Sequence, residues 1–206
     1  MIILGIETSC DETAAAVVES GKKLLSNVVA SSVDLHAAFG GVVPEIAARS
    51  HIESILPVID KALQDAFGSV KREGRKEDSR SSLLTTPSSV DLWSQIDGIA
   101  VTQGPGLIGS LLIGVLTART LAIAKQKPLY AVNHVHAHPY ACFITEARRS
   151  EKEGARSEIS LPSPYSLPAT APKFPILALI VSGGHTQLVL FESHKKYRLL
   201  FRSSNL

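Results

Sequence analysis

The chain has 206 residues, 45% hydrophobic and 19% charged, enough apolar content to bury a core in one domain or two small ones and too much for a chain disordered throughout. Its 21 Lys and Arg against 19 Asp and Glu leave a net charge of +2, which excludes nucleic-acid binding through a global basic field and leaves a local patch for that purpose. The two cysteines, Cys10 and Cys142, exclude a disulfide framework and a cysteine-only zinc site, and point to a reducing compartment.

The chain opens on the apolar run Ile2 to Ile6, which reads as a strand and lacks the features of a signal peptide, so a cytoplasmic protein is expected. Thr13 to Val18 reads as a second strand. The turn between them, Glu7-Thr8-Ser9-Cys10-Asp11-Glu12-Thr13, packs three carboxylates and three hydroxyls where a two-residue hairpin would suffice. Such a turn can hold a cation, orient a water, accept a proton or bond phosphate oxygens. The plain alternative is a polar hairpin tip.

After Pro44, Ile52, Ile55, Leu56 and Ile59 recur at helical spacing and predict an amphipathic helix over His51 to Leu63. Residues 66–95 then carry Lys71, Arg72, Arg75, Lys76 and Arg80 ahead of a Ser/Thr/Pro run, the composition of a surface insertion. Its basic part is either a solvated charge run or a contact for RNA phosphates.

Ile96 to Thr102 reads as a buried strand leading through Gln103-Gly104-Pro105-Gly106 into a helix. The window Pro105 to Ala124 is about as long as a membrane span, with Arg119 its single charge. Gly106, Ser110, Gly114, Ala118 and Ala122 recur every four residues and form a smooth ribbon that another backbone can approach. An intramembrane Arg is costly, so a buried helix of an α/β core is expected and no membrane partner. Pro128 to Val132 reads as a further strand, and the alternation of strand and helix predicts an α/β sandwich.

In Asn133-His134-Val135-His136-Ala137-His138, His134 and His138 are four apart, which on a helix places both imidazoles on one face, in reach of one metal ion. His136 points elsewhere and reads as a packing or surface residue. Pro139, directly after His138, removes a helical hydrogen bond and predicts a kink. The zinc-protease pattern needs Glu directly after the first His, but Val135 stands there. Residues 145–173, with Pro162, Pro164, Pro168 and Pro172, read as a second insertion or linker.

The run Leu177 to Ser193 echoes Ile3 to Ser20: apolar strand, polar turn, Thr, apolar strand, then Glu-Ser. Two hairpins of one design suggest two related lobes, each offering its turn to a shared cleft, with chance similarity as the alternative. In the second turn, Ser182-Gly183-Gly184-His185-Thr186-Gln187, the paired glycines admit a ligand close to the backbone.

The runs GIETSCDETAAAVV, SNVVASSVDLHAAFGGVVPEIAARSHIESILPVI, IAVTQGPGLIGSLLIGV, Asn133-His134-x-x-Ala137-His138 and LIVSGGHTQLVL closely resemble the TsaD family of bacterial tRNA threonylcarbamoyladenosine transferases, once called O-sialoglycoprotein endopeptidases. The resemblance covers most of the chain outside the two insertions. It implies an actin-like, sugar-kinase-like α/β fold of two ribonuclease-H-like lobes, and transfer of threonylcarbamoyl from threonylcarbamoyl-adenylate to the tRNA adenosine beside the anticodon. Carried over by position, His134 and His138 resemble the ligands of one divalent metal, iron ahead of zinc. Asp11 and Glu12 resemble the acidic pair needed for activity, and Ile180, Val181, Ser182, Gly183 and Gly184 the loop that holds the adenylate. TsaB-like and TsaE-like proteins are the implied partners.

The family pattern continues beyond the SGGHTQ hairpin into a Gly-rich segment and a late Asp that supplies a third metal ligand, whereas this sequence reads Phe201-Arg-Ser-Ser-Asn-Leu206. Nothing in the spacing assigns Asp11 or Glu45 to that ligand's place. The expected organisation is a first lobe over 1–144, the insertion or linker over 145–173 and the first hairpin of an incomplete second lobe over 174–206. A truncated transferase with little activity by itself is expected, and a non-catalytic lobe that dimerises with a TsaB-like or TsaD-like protein is the second reading.

Overall fold

The computed structural model describes residues 1–68, 92–146, 172–181 and 185–204. They form two compact units, Met1–His134 and Val135–Leu206, each with its own core. Most of both sequence-defined insertions lies outside the described residues.

In the first unit, β1 (Ile2–Glu7) pairs antiparallel with β2 (Glu12–Glu19), which pairs antiparallel with β3 (Lys23–Ser31). On its other side β1 runs parallel to β4 (Gly98–Gly104), which runs parallel to β5 (Leu129–Asn133). The strand order is therefore β5-β4-β1-β2-β3: three antiparallel strands followed by two parallel ones, the mixed sheet expected of a ribonuclease-H-like lobe. β3 has no counterpart in the sequence reading, because Ser26 and Asn27 interrupt its apolar alternation.

The short helix α1 (Val33–Ala37) leads to α2 (Pro44–Phe67), which begins earlier and ends later than its periodicity predicts. Pro44 at the first turn and Glu45 beside the positive helix end are the start signal. Ile55, Ile59 and Leu63 of α2 meet Leu4 and Ile6 of β1, Val17 of β2 and Ile99 and Val101 of β4 in one core, which Trp93 closes. Truncating a side chain such as Ile59 to Ala there costs about 2–5 kcal/mol.

Helix α3 (Ile108–Ala124) presents Ser110, Gly114, Ala118 and Ala122 to the interior, as its small-residue ribbon predicts. Its other side is less buried than expected: Ile108, Leu112, Leu116 and Ile123 are exposed. Among the described residues no helix is long and apolar enough to cross a membrane. Helix α4 (His134–Ala141) follows β5 directly and continues through Pro139 to Ala141.

The second unit holds a two-residue strand β6 (Thr145–Glu146) and the antiparallel sheet β7 (Ile176–Val181), β8 (His185–Phe191) and β9 (Tyr197–Ser204). β7 and β8 are the predicted hairpin, in register from Ile176 opposite Phe191 to Val181 opposite Thr186. Ala178, Ile180, Val189 and Phe191 pack with Val135 of α4. His136 lies edge-on against Tyr197 at 4.0 Å and Phe191 at 5.8 Å between ring centroids, a packing histidine.

Candidate functional site

In parallel strands the carboxyl ends lie side by side and are where ligands are met. Here those ends bring together Glu7 of β1, Thr102 near the end of β4 and His134 just after β5. Glu7 Oε2 accepts from the Thr102 hydroxyl at 2.5 Å and from His134 Nδ1 at 3.1 Å, while Oε1 accepts from the Ser9 backbone N–H at 2.5 Å. Burial alone would push the Glu7 carboxyl up, but the hydrogen bonds from His134, Ser9 and Thr102 outweigh it and hold it at about 2. The same bond to Glu7 raises His134, against the opposing effect of burial. Ser9 Oγ lies 3.2 Å from the same Nδ1.

The polar turn is held from below. Leu107 N–H donates to the Ser9 carbonyl at 2.8 Å, Ser110 Oγ to the Cys10 carbonyl at 3.1 Å, and Thr8 Oγ1 to the Ser110 carbonyl at 2.8 Å. The smooth ribbon of α3 explains how a helix can come so near. A methyl group added at Gly106 would lie 2.5 Å from the Ser9 carbonyl oxygen, and one at Gly114 2.3 Å from Thr8 Oγ1. The backbone for which the ribbon makes room is the acidic turn itself.

With the backbone so anchored, side chains of the turn face outward: Asp11 is half-buried and Glu12 exposed. Cys10 is exposed, but burial of its thiol and the hydrogen bond and charge of Asp11 push its pKa up, so it stays a thiol rather than a nucleophilic thiolate.

In the second unit, His138, Cys142 and Phe143 line a cavity of about 450 Å³ with Leu177, Ile180 and Val181 of β7. Of the predicted adenylate loop, Ile180 is a core residue, 7% exposed, and Val181 is 68% exposed. Ser182, Gly183 and Gly184 lie outside the described residues. His134 and His138 both stand on α4, four residues apart. Among the described residues no group of three His, Cys, Asp or Glu side chains gathers as a ready metal site.

The sequence reading singles out the Glu7 to Thr13 turn together with His134 and His138 and gives catalytic roles to Asp11 and Glu12; it gives no separate role to Glu7 or Ser9 and does not single out Thr102. The available signal is position: Glu7, Ser9 and Thr102 are polar residues near or just past the carboxyl end of a strand in the parallel part of the sheet.

The family described as "TsaD: tRNA N6-adenosine threonylcarbamoyltransferase" matches residues 23–72 and 89–152, with the break inside the basic insertion. The chain is 48% identical over 203 residues to the tRNA N6-adenosine threonylcarbamoyltransferase of Thermomicrobium roseum, covering 98% of this chain and 45% of that protein. To the protein of the same name from Symbiobacterium thermophilum it is 44% identical over 202 residues, covering 98% and 46%. The chain thus spans about half the length of the curated relatives it matches. Among solved structures it is similar to YeaZ from Pseudomonas aeruginosa, at 17% identity and a TM-score of 0.45, covering 99% of this chain and 68% of that one.

Proposed function

The chain belongs to the TsaD family, and from that premise we propose that it supplies the acidic-turn and histidine side of a cytoplasmic tRNA N6-adenosine threonylcarbamoyltransferase. The observation that carries this reading is the bond between Glu7 and His134, which ties the acidic turn to the first of the metal-spaced histidines.

His134 and His138 would hold one divalent metal, iron ahead of zinc. The residues fit such a group: a histidine whose Nδ1–H is held by a carboxylate has its ring orientation fixed and its Nε2 made more basic, the usual arrangement behind a metal ligand. A third ligand is required. When bound, the metal supplies Lewis-acid polarisation of the carbamoyl carbonyl.

The chain's own residues do the rest. The adenosine N6 forms the new bond to the carbamoyl carbon, and the bond from that carbon to the adenylate phosphate oxygen breaks, AMP leaving with the electron pair. Asp11 or Glu12 accepts the proton that N6 sheds. Residues 180–184 hold the adenylate, in keeping with the cavity that Ile180 and Val181 line with His138. TsaB-like and TsaE-like proteins assist.

A second reading, a non-catalytic lobe that dimerises with a TsaB-like or TsaD-like protein, is favoured by one observation. A groove in the first unit is lined by Ile52, Ile55 and Leu56 of α2 and Ile113, Leu116 and Leu121 of α3, an apolar surface of the kind that pairs.

The test is transfer from threonylcarbamoyl-adenylate to tRNA by the full chain with these partners, read as the modified nucleoside by mass spectrometry. Product that falls at least about tenfold in Asp11→Asn or His134→Ala, the order of loss for an acid–base group, supports catalysis. No product beside a stable complex with a TsaB-like protein favours the second reading.

A further inference from the structure

The carbonyls of Ser9, Cys10 and Asp11 all accept hydrogen bonds from outside the turn, and a buried imidazole supplies one of them. His51 of α2 is 0% exposed. Its Nε2 lies 3.1 Å from the Cys10 carbonyl oxygen and its Nδ1 2.7 Å from Thr13 Oγ1. A carbonyl can only accept, so Nε2 donates to Cys10, and in the neutral ring Nδ1 accepts a hydrogen bond from the Thr13 hydroxyl. One rigid ring therefore spans the turn from Cys10 to Thr13 and brackets Asp11 and Glu12 between its two bonds.

A second buried imidazole works on the next carbonyl. His36 of α1 accepts the Val43 N–H at Nδ1, 3.2 Å, and so offers its Nε2 proton to Ser32 Oγ at 3.2 Å. Ser32 Oγ in turn donates to the Asp11 carbonyl at 2.6 Å, beside the Ser32 N–H at 3.1 Å. Buried polar groups on this scale are costly unless satisfied, and here their bonds converge on the backbone of two successive residues of the turn.

We propose that His51 is a positioning residue for threonylcarbamoyl transfer. It meets no substrate. It holds the Cys10–Thr13 backbone that carries the half-buried Asp11 and the exposed Glu12. The inference rests on the transfer function proposed above, and Cys10 keeps a second donor in Ser110 when His51 is replaced, so the fold has a way to survive the change.

The experiment compares the full wild-type chain with His51→Leu, which keeps bulk and loses both bonds, and His51→Gln, which returns an amide donor toward Cys10. Two readouts are taken: hydrogen exchange by segment, and transfer kinetics in the presence of the TsaB-like and TsaE-like proteins. In His51→Leu, exchange of residues 8–13 is expected to speed up at least about tenfold with β1 and β4 unchanged. kcat should fall by about tenfold to a hundredfold, the order of loss for a misplaced catalytic group, with KM for tRNA little altered. His51→Gln should recover most of both. Unchanged exchange in the turn, or loosening spread evenly over β1, β4 and the turn, would overturn the proposal. If the wild-type chain transfers nothing, the function proposed above fails, and selective loosening of the turn still decides whether His51 positions it.

Discussion

Nδ1 of His134 stands 3.1 Å from Oε2 of Glu7, across 127 residues of sequence. The contact exists because β1, β4 and β5 run parallel and end level with one another. Through it the acidic turn at the start of the first unit and His134 at its end are brought together.

The pair has a pH signature in the metal-free chain. Glu7 is held at about 2 against an ordinary 4.5, so its contribution to stability is complete above 4.5 and is lost as pH falls toward 2. His134 is raised above 6.5, so its contribution is complete below 6.5 and is lost as pH rises through its folded value. The Tm difference between wild type and Glu7→Gln should therefore be largest between pH 4.5 and 6.5. Above that window it should shrink without vanishing, because Ser9 and Thr102 still bond the carboxylate. Thermal melts of both proteins from pH 2 to pH 9 check this.

Gly106 and Gly114 let the turn rest on α3. Gly106→Ala is expected to cost about 1–3 kcal/mol in denaturant unfolding, as overpacking does, because its new methyl meets the Ser9 backbone, which has nowhere to go. Gly114→Ala instead meets the Thr8 hydroxyl. Its cost combined with Thr8→Ala should fall short of the sum of the two single changes.

Cys10 sits amid the carboxylates yet is kept a thiol. Cys10→Ser should leave transfer activity within about threefold of wild type, since a neutral hydroxyl replaces a neutral thiol at an exposed site where substitutions usually cost little. Alkylation of Cys10 at neutral pH should be slow and should accelerate as pH is raised. Fast labelling at pH 7 would contradict the assignment of work in this turn to Asp11 and Glu12.

Much of this site is legible in the order of residues. The hairpin around Glu7 to Thr13, the ribbon of Gly106, Ser110 and Gly114 and the spacing of His134 and His138 are local patterns, and local patterns survive in a sequence. What could not be read depends on pairing at a distance. The ribbon announces that some backbone comes close without saying that it is Thr8 and Ser9. His51 looks like the first residue of an amphipathic helix, and its burial follows from the helix starting at Pro44 and lying under the turn. β3 was hidden because a strand paired along β2 tolerates Ser26 and Asn27 in its middle.

The central claim, that the Glu7-braced His134 and its neighbour His138 form a metal site of the TsaD type, is tested most directly by titrating Fe2+, or Co2+ as a spectroscopic probe, into the full metal-free chain. Weak binding of one ion per chain is predicted, since the two histidines have no assigned third ligand, with affinity lowered about tenfold to a hundredfold in Glu7→Gln and abolished in His134→Ala and His138→Ala. Binding that is absent in wild type, or that survives both histidine substitutions, would contradict it.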